Sequence, residues 1–190
     1  VVYQGRDPRI KREVEVKAIQ LADAFDPEDL EQARTRFFRE AEMAGRLSHP
    51  HVVTIYDAGE DGGTAYIAME LLRGQHLVEY TSASRLLPTA VAIEIVARLA
   101  DALHYAHQNQ VVHRDIKPAN IMFDAPSGEL KITDFGIARL TDSGRTRTGV
   151  VLGTPSFMSP EQLQGRPVTG RSDLFSLAVS LYQLLTGQLP

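Results

Sequence analysis

Residues 113–120 read His113-Arg114-Asp115-Ile116-Lys117-Pro118-Ala119-Asn120, and Asp134-Phe135-Gly136 follows soon after. The reading of this stretch decides the fold. It opens a region, residues 111–170, broken by Pro118, Pro126, Gly128, Gly144, Gly149, Gly153, Pro155, Pro160 and Gly165. Irregular chain of such length inside a compact domain is usually functional. The side chains agree with that. Asp115 falls on a loop between a long helix and a short strand, where a carboxylate can accept a proton from a hydroxyl. Lys117 points the same way along the loop, toward any anion held there. Asn120 and Asp134 offer the hard oxygens that suit a small divalent cation.

Working outward, a helix after Pro88 carries Val91, Ile95, Val96, Leu99, Ala102, Leu103 and Ala106, an apolar arc wide enough to predict burial. Beyond the irregular region, Asp173 to Thr186 returns to buried helix, stopped by Gly187. Nearer the N-terminus the texture is strand-like. Val14, Val16 and Ala18-Ile19 alternate with polar residues, as does Val52 to Tyr56; Thr64 to Met69 is a third strand, preceded by the hairpin signal Asp61-Gly62-Gly63. Between the first two strands a helix is predicted with Asp26 as N-cap and Pro27 at its first position. Its stripe is Leu30, Ala33, Phe37, Ala41, Ala44 and Leu47. Arg73-Gly74-Gln75 is a polar break and a candidate hinge. The fold class is therefore α+β: a small β-rich lobe with one main helix over residues 1–71, then a mostly helical lobe over residues 72–190.

Composition narrows the function. With 20 Lys and Arg against 24 Asp and Glu, the net charge of -4 gives no electrostatic footprint for nucleic acid. The absence of Cys excludes a disulfide scaffold, a thiolate zinc site and a thiol nucleophile. The six His lack ligand spacing; His104 and His107 read as a solvated helix face. The most apolar run, Leu174 to Leu185, is interrupted by Ser176, Ser180 and Gln183 and suits a buried helix rather than a membrane span. The start, Val1-Val2-Tyr3-Gln4, has no basic n-region of a signal peptide. A cytoplasmic location is expected for this stretch, whatever anchors its parent.

Together with Val14-Glu15-Val16-Lys17 and Ser159-Pro160-Glu161, the two quoted motifs resemble those of the eukaryotic-type protein kinases, and most nearly the bacterial serine/threonine kinases. Four motifs in the right order make accident implausible. Gly153-Thr154-Pro155 and Arg171-Ser172-Asp173 fit as well. The resemblance implies a bilobal kinase fold that phosphorylates Ser or Thr hydroxyls of a protein substrate, with ATP and Mg2+ as cofactors. Asp115 is then the base, Lys117 the phosphate clamp, Asn120 and Asp134 the Mg2+ ligands, and Thr154 part of the substrate platform. Lys17 contacts the ATP phosphates and pairs with Glu40. Adenine lies between Val2 and Glu15 above and Met122 below; the linker from Glu70 to Leu72 supplies backbone hydrogen bonds, and Met69 guards the space behind. The segment between Asp134 and Glu161 is implied to be switched by phosphate on Thr146 or Thr148, held by Arg36, Arg114 and Arg139. A kinase homodimer could perform that transfer in trans.

The chain departs from the family at three points. The Gly-rich loop is absent, so Val1-Val2-Tyr3 reads as the strand leaving it. The helices expected after the last buried helix, with the Arg that would pair with Glu161, are also absent, and the domain reads as truncated at both ends. Glu15 stands where the family has Ala, facing the base, and a carboxylate there is costly to desolvate. An active kinase with adapted nucleotide binding and a pseudokinase scaffold with impaired ATP binding both remain open. A small-molecule phosphotransferase fits less well, because Arg114, Lys117 and the Asp-Phe-Gly and Ser-Pro-Glu segments serve a protein-substrate platform.

Overall fold

A computed structural model describes residues 1–135 and 155–190. Strands β1 (Val2–Arg6), β2 (Glu13–Gln20), β3 (Ile55–Asp61) and β4 (Thr64–Glu70) form an antiparallel sheet in the order β1-β2-β4-β3. The period-two alternation of β2 sets its register: Glu15 pairs with Met69 and Lys17 with Ile67, so Glu15 and Lys17 share a face, with Val14 and Val16 on the other. Helices α1 (Leu21–Ala24) and α2 (Leu30–Gly45) follow β2. The buried face of α2, with Phe37 and Ala41, packs with Val53, Ala65, Ile67 and Met69 into one core.

Two expectations are corrected here. Helix α2 starts at Leu30 with Asp29 as N-cap, not at Pro27. Residues 26–29 form a turn in which Asp29 N–H donates to the Asp26 carbonyl at 2.9 Å; proline pre-sets the backbone for a turn as readily as for a first helical residue. Likewise Val52 and Val53 do not begin a strand of the first sheet. They are buried, but Val53 N–H donates to the Ile132 carbonyl and Ile132 N–H to the His51 carbonyl, both at 2.9 Å, so this segment is stitched to the other lobe.

The second sheet runs β5 (Gln75–His76), β6 (Ile121–Asp124), β7 (Glu129–Ile132). At the candidate hinge Gly74 has φ 99°, and a Cβ there would sit 2.4 Å from the Phe123 carbonyl oxygen, so no other residue lets the linker cross β6 this closely. Helices α3 (Thr89–Gln108), α4 (Pro160–Leu163) and α5 (Gly170–Thr186) and three short 3-10 turns, Leu77–Tyr80, Pro118–Asn120 and Pro155–Phe157, complete the described elements. Helix α3 buries Ala92, Ile95, Leu99, Ala102, Leu103 and Ala106 against the second sheet and α5, as its apolar arc predicts. Among the described residues no helix is long and apolar enough to cross a membrane.

Candidate active site

The 113–120 loop hangs from one buried carboxylate. Asp173, in the first turn of α5, is fully buried and accepts from His113 N–H at 2.9 Å, Arg114 N–H at 2.7 Å and His107 Nε2 at 2.8 Å. The expected solvated role of His107 is thereby corrected: α5 packs on α3 so closely that a Cβ at Gly170 would stand 2.5 Å from His107 Nδ1. Arg114 is left-handed, with φ 71°, a conformation costing roughly 1–2 kcal/mol for a residue with a Cβ. Both its backbone groups are engaged, the carbonyl accepting from Gln162 Nε2 at 2.8 Å. Gln162 is itself set by a capping box with Ser159 at the start of α4. His113, fully buried, accepts from Asp115 N–H at Nδ1 (3.2 Å) and meets the Thr133 carbonyl through Nε2 (2.7 Å). The edge-to-face contact of its ring with Phe135, centroids 4.6 Å apart, ties the loop to the Asp134 segment.

This scaffold presents Asp115. Its Oδ2 receives Lys117 Nζ at 2.7 Å and Asn120 Nδ2 at 2.8 Å. Among the described residues nothing donates to Oδ1. The Asn120 amide also donates to the Asp115 carbonyl at 2.8 Å, so its orientation is set by two acceptors and its Oδ1 faces away from them. Asp134 is left-handed, with φ 62°, and gives one oxygen to Lys17 Nζ at 2.7 Å. Asn120 Oδ1 and Asp134 Oδ2 thus remain as hard donors. Among the described residues no cluster of three or more acidic or His side chains could hold a metal unaided. Two protein oxygens fit Mg2+, which takes most of its shell from water and phosphates.

The expected partner of Lys17 is corrected. Among the described residues it pairs with Asp134 and not with Glu40. In this pose of α2, Glu40 faces a cavity rather than the Lys17 ammonium. Glu40 lines a cavity of about 560 Å³ between α2 and the loop, together with Arg36, Arg39, Met43, Arg114 and Phe135. Arg36 and Arg114 therefore do converge. Arg139, Thr146, Thr148 and Thr154 lie outside the described residues.

The residues expected on the nucleotide side come from both sheets. Val2 pairs with Lys17 across β1 and β2 and is 55% exposed. Met69 is buried opposite Glu15, and Leu72 packs on the N-lobe core. Met122 is flanked by His76 and Lys131 in one row across the second sheet. Burial raises the pKa of the Glu15 carboxyl above its ordinary value, and Asp134 adds to the rise; His76 and Lys17 oppose it. Glu161 accepts from the Ser172 hydroxyl, which with further hydrogen bonds holds it below the usual carboxylate range.

Sequence reasoning noted Asp173 only as part of a matching segment and missed its anchoring role, together with Gln162 and the side-chain role of Glu70, which accepts from Lys131 Nζ at 2.8 Å. For Asp173 the signal was present: an acid in the first turn of a buried apolar helix needs donors nearby.

Comparison with known proteins agrees with this geometry. All of residues 1–190 match the family described as Protein kinase domain. The chain is 43% identical over 190 residues to serine/threonine-protein kinase PrkC of Bacillus subtilis and 44% identical over 195 residues to serine/threonine-protein kinase PknB of Mycobacterium leprae. It is covered completely in both, but spans only 28% and 30% of their lengths. The crystal structure of the Mycobacterium tuberculosis PknI kinase domain superposes with a TM-score of 0.79 at 33% identity, covering all of this chain and 70% of that one. A loop hung on a buried Asp, a carboxylate flanked by Lys and Asn, and a family match from the first residue to the last converge: the chain belongs to the protein kinase family.

Proposed function

We propose that this chain is the catalytic part of an enzyme that transfers the γ-phosphoryl group of ATP to Ser or Thr hydroxyls of proteins. The observation that carries this reading is Asp115 with one carboxylate oxygen held by Lys117 and Asn120 and the other open. The hydroxyl proton passes to Asp115 Oδ1 as the hydroxyl oxygen bonds to the γ-phosphorus and the bond to the ADP oxygen breaks. Phosphoryl transfer needs positioning and charge neutralisation more than covalent chemistry. Lys117 would turn from Asp115 to the transferred phosphate, and Lys17 would hold the ATP phosphates. Asn120 and Asp134 would hold Mg2+, which supplies neutralising charge at the phosphates. Val2, Glu15, Met69, Glu70, Leu72 and Met122 would enclose the base, with the lobe boundary near Leu71 and Leu72.

The cavity between α2 and the loop supports a regulatory reading. Phosphate on Thr146 or Thr148 would bring about -1.5 to -2 charges toward guanidinium groups, here Arg36, Arg114 and Arg139, and favour a pose of α2 in which Glu40 reaches Lys17. A second copy of the kinase is the partner proposed for that first transfer. One observation favours the pseudokinase reading instead: the half-buried Glu15 carboxylate, whose raised proton affinity reports an environment hostile to its charge.

The experiment is phosphate transfer from γ-labelled ATP to a mixed protein substrate by the full-length protein, followed by phosphoamino-acid analysis and mass spectrometry of residues 136–154. Labelled phosphoserine or phosphothreonine, lost in Asp115→Asn, is the expected result. Nucleotide binding without transfer would leave the scaffold reading standing. An active protein unmodified between residues 136 and 154 would remove the switch.

A further inference from the structure

The last rung of the first sheet is irregular at Glu70. Glu70 N–H donates to the Thr54 carbonyl at 3.0 Å. In an antiparallel ladder the reciprocal bond would run from Thr54 N–H to the Glu70 main-chain carbonyl. Instead Thr54 N–H donates to the Glu70 side chain, at Oε1, 2.6 Å away. The same Oε1 receives Lys131 Nζ at 2.8 Å, and both side chains are well buried, at 12% exposure for Lys131 and 18% for Glu70. Lys131 comes from β7, in the row with Met122 and His76. Thr54 follows directly on the segment that β7 holds through Val53 and Ile132. A carboxylate thus takes the place of a main-chain carbonyl, and an ammonium from the other lobe keeps it there.

We propose that Glu70 and Lys131 are positioning residues for nucleobase recognition: the Glu70 carboxylate occupies Thr54 N–H so that the Glu70 main-chain carbonyl stays out of the ladder and accepts the exocyclic amine of adenine. The inference rests on the ATP reading above and deepens it. The carbonyl is the selective group, because it accepts from the 6-amino group of adenine and has no partner on a purine without one. Lys131 acts at one remove. Without its charge the carboxylate would be buried unpaired, would turn toward water, and would release Thr54 N–H to the carbonyl.

The test compares binding of ATP with that of the purine ribonucleoside triphosphate lacking the 6-amino group, by calorimetry on the full-length protein. The wild type is expected to prefer ATP by about 10-fold, the worth of one hydrogen bond. In Glu70→Ala that preference collapses toward parity. Glu70→Gln, whose amide oxygen still accepts from Thr54 N–H, keeps most of the preference. Lys131→Met loses it and Lys131→Arg retains it. A purely structural pair would lower the melting temperature and weaken both nucleotides equally; an unchanged preference in Glu70→Ala or Lys131→Met overturns the inference. Failure of both variants to fold assigns the pair to stability and overturns it too. A wild type that binds both nucleotides equally refutes this inference alone, whereas one that binds neither refutes the ATP reading and takes this one with it.

Discussion

The two walls of the cleft are built on opposite plans. Below, the 113–120 loop is held by Asp173, Gln162 and the Thr133 carbonyl, every one reaching a backbone group or a ring at fixed distance. Above, the one ionic partner of Lys17 among the described residues is Asp134, although Glu40 is expected to compete for the same ammonium. Buried hydrogen bonds to backbone are costly to break because each leaves an orphaned group. An ion pair with side chains about a quarter exposed, 25% and 27% here, exchanges partners at little cost. The lower wall is a preformed tool, and the upper wall is adjustable.

The comparison breaks first at Asp115. In the full-length protein, Asp115→Asn is expected to lower turnover by roughly 100- to 10,000-fold, the usual worth of a general base, with ATP affinity unchanged. A peptide assay at the parental rate would remove Asp115 from the chemistry. Next is the anchor. Asp173→Ala leaves two backbone N–H groups and His107 without their acceptor and should cost about 3 kcal/mol or more, read by urea unfolding. A loss as small as that of an exposed substitution would mean the lower wall is not held from α5.

On the upper wall, Glu15→Ala should tighten ATP binding by about 10-fold, by relieving an unfavourable desolvation. Calorimetry decides it: equal or weaker binding would show that the carboxylate does not face the base. The smallest effect lies at the lobe junction. His51 meets the Leu130 carbonyl through Nδ1 at 3.0 Å and accepts from Arg98 Nε through Nε2 at 3.3 Å. Burial, aided by Arg98 and His49 and opposed by the Leu130 carbonyl and Asp101, holds its pKa below the ordinary 6.5. The unfolded chain therefore takes up the proton first, and stability is lost as pH falls from 6.5 through the lower folded value. The melting temperature of wild type should fall more steeply over that window than that of His51→Gln; parallel slopes would place the pH sensitivity elsewhere.

What was legible in the sequence follows the same division. The lower wall is local: Asp115, Lys117 and Asn120 lie within one short loop, and their contacts follow from spacing. The helices flanking it are long and strongly periodic, so α3 and α5 were readable. The partner of Lys17 was not, because the pair spans 117 residues of chain and depends on how α2 sits. Val52 and Val53 misled because a short apolar run is as well satisfied by bridging to an edge of the second sheet as by a strand of the first. The role of Glu70 was hidden for another reason. A carboxylate replacing a carbonyl leaves no mark on hydrophobic pattern.

The stitching of His51 and Val53 to Ile132 has a mechanical consequence. Helix α2 ends at Gly45, a few residues before that seam, and its other end, Leu30, packs on the core of the first sheet. The helix is a lever with its fulcrum at the C-terminal end. At 1.5 Å per residue its arm is about 24 Å long, so a tilt of about 10° sweeps Leu30 through about 4 Å and Glu40 through only about 1 Å. Large excursions at the tip are geared down to small adjustments beside the ammonium. A weak push applied near Leu30 is therefore delivered at Glu40 as a stronger one over a shorter distance.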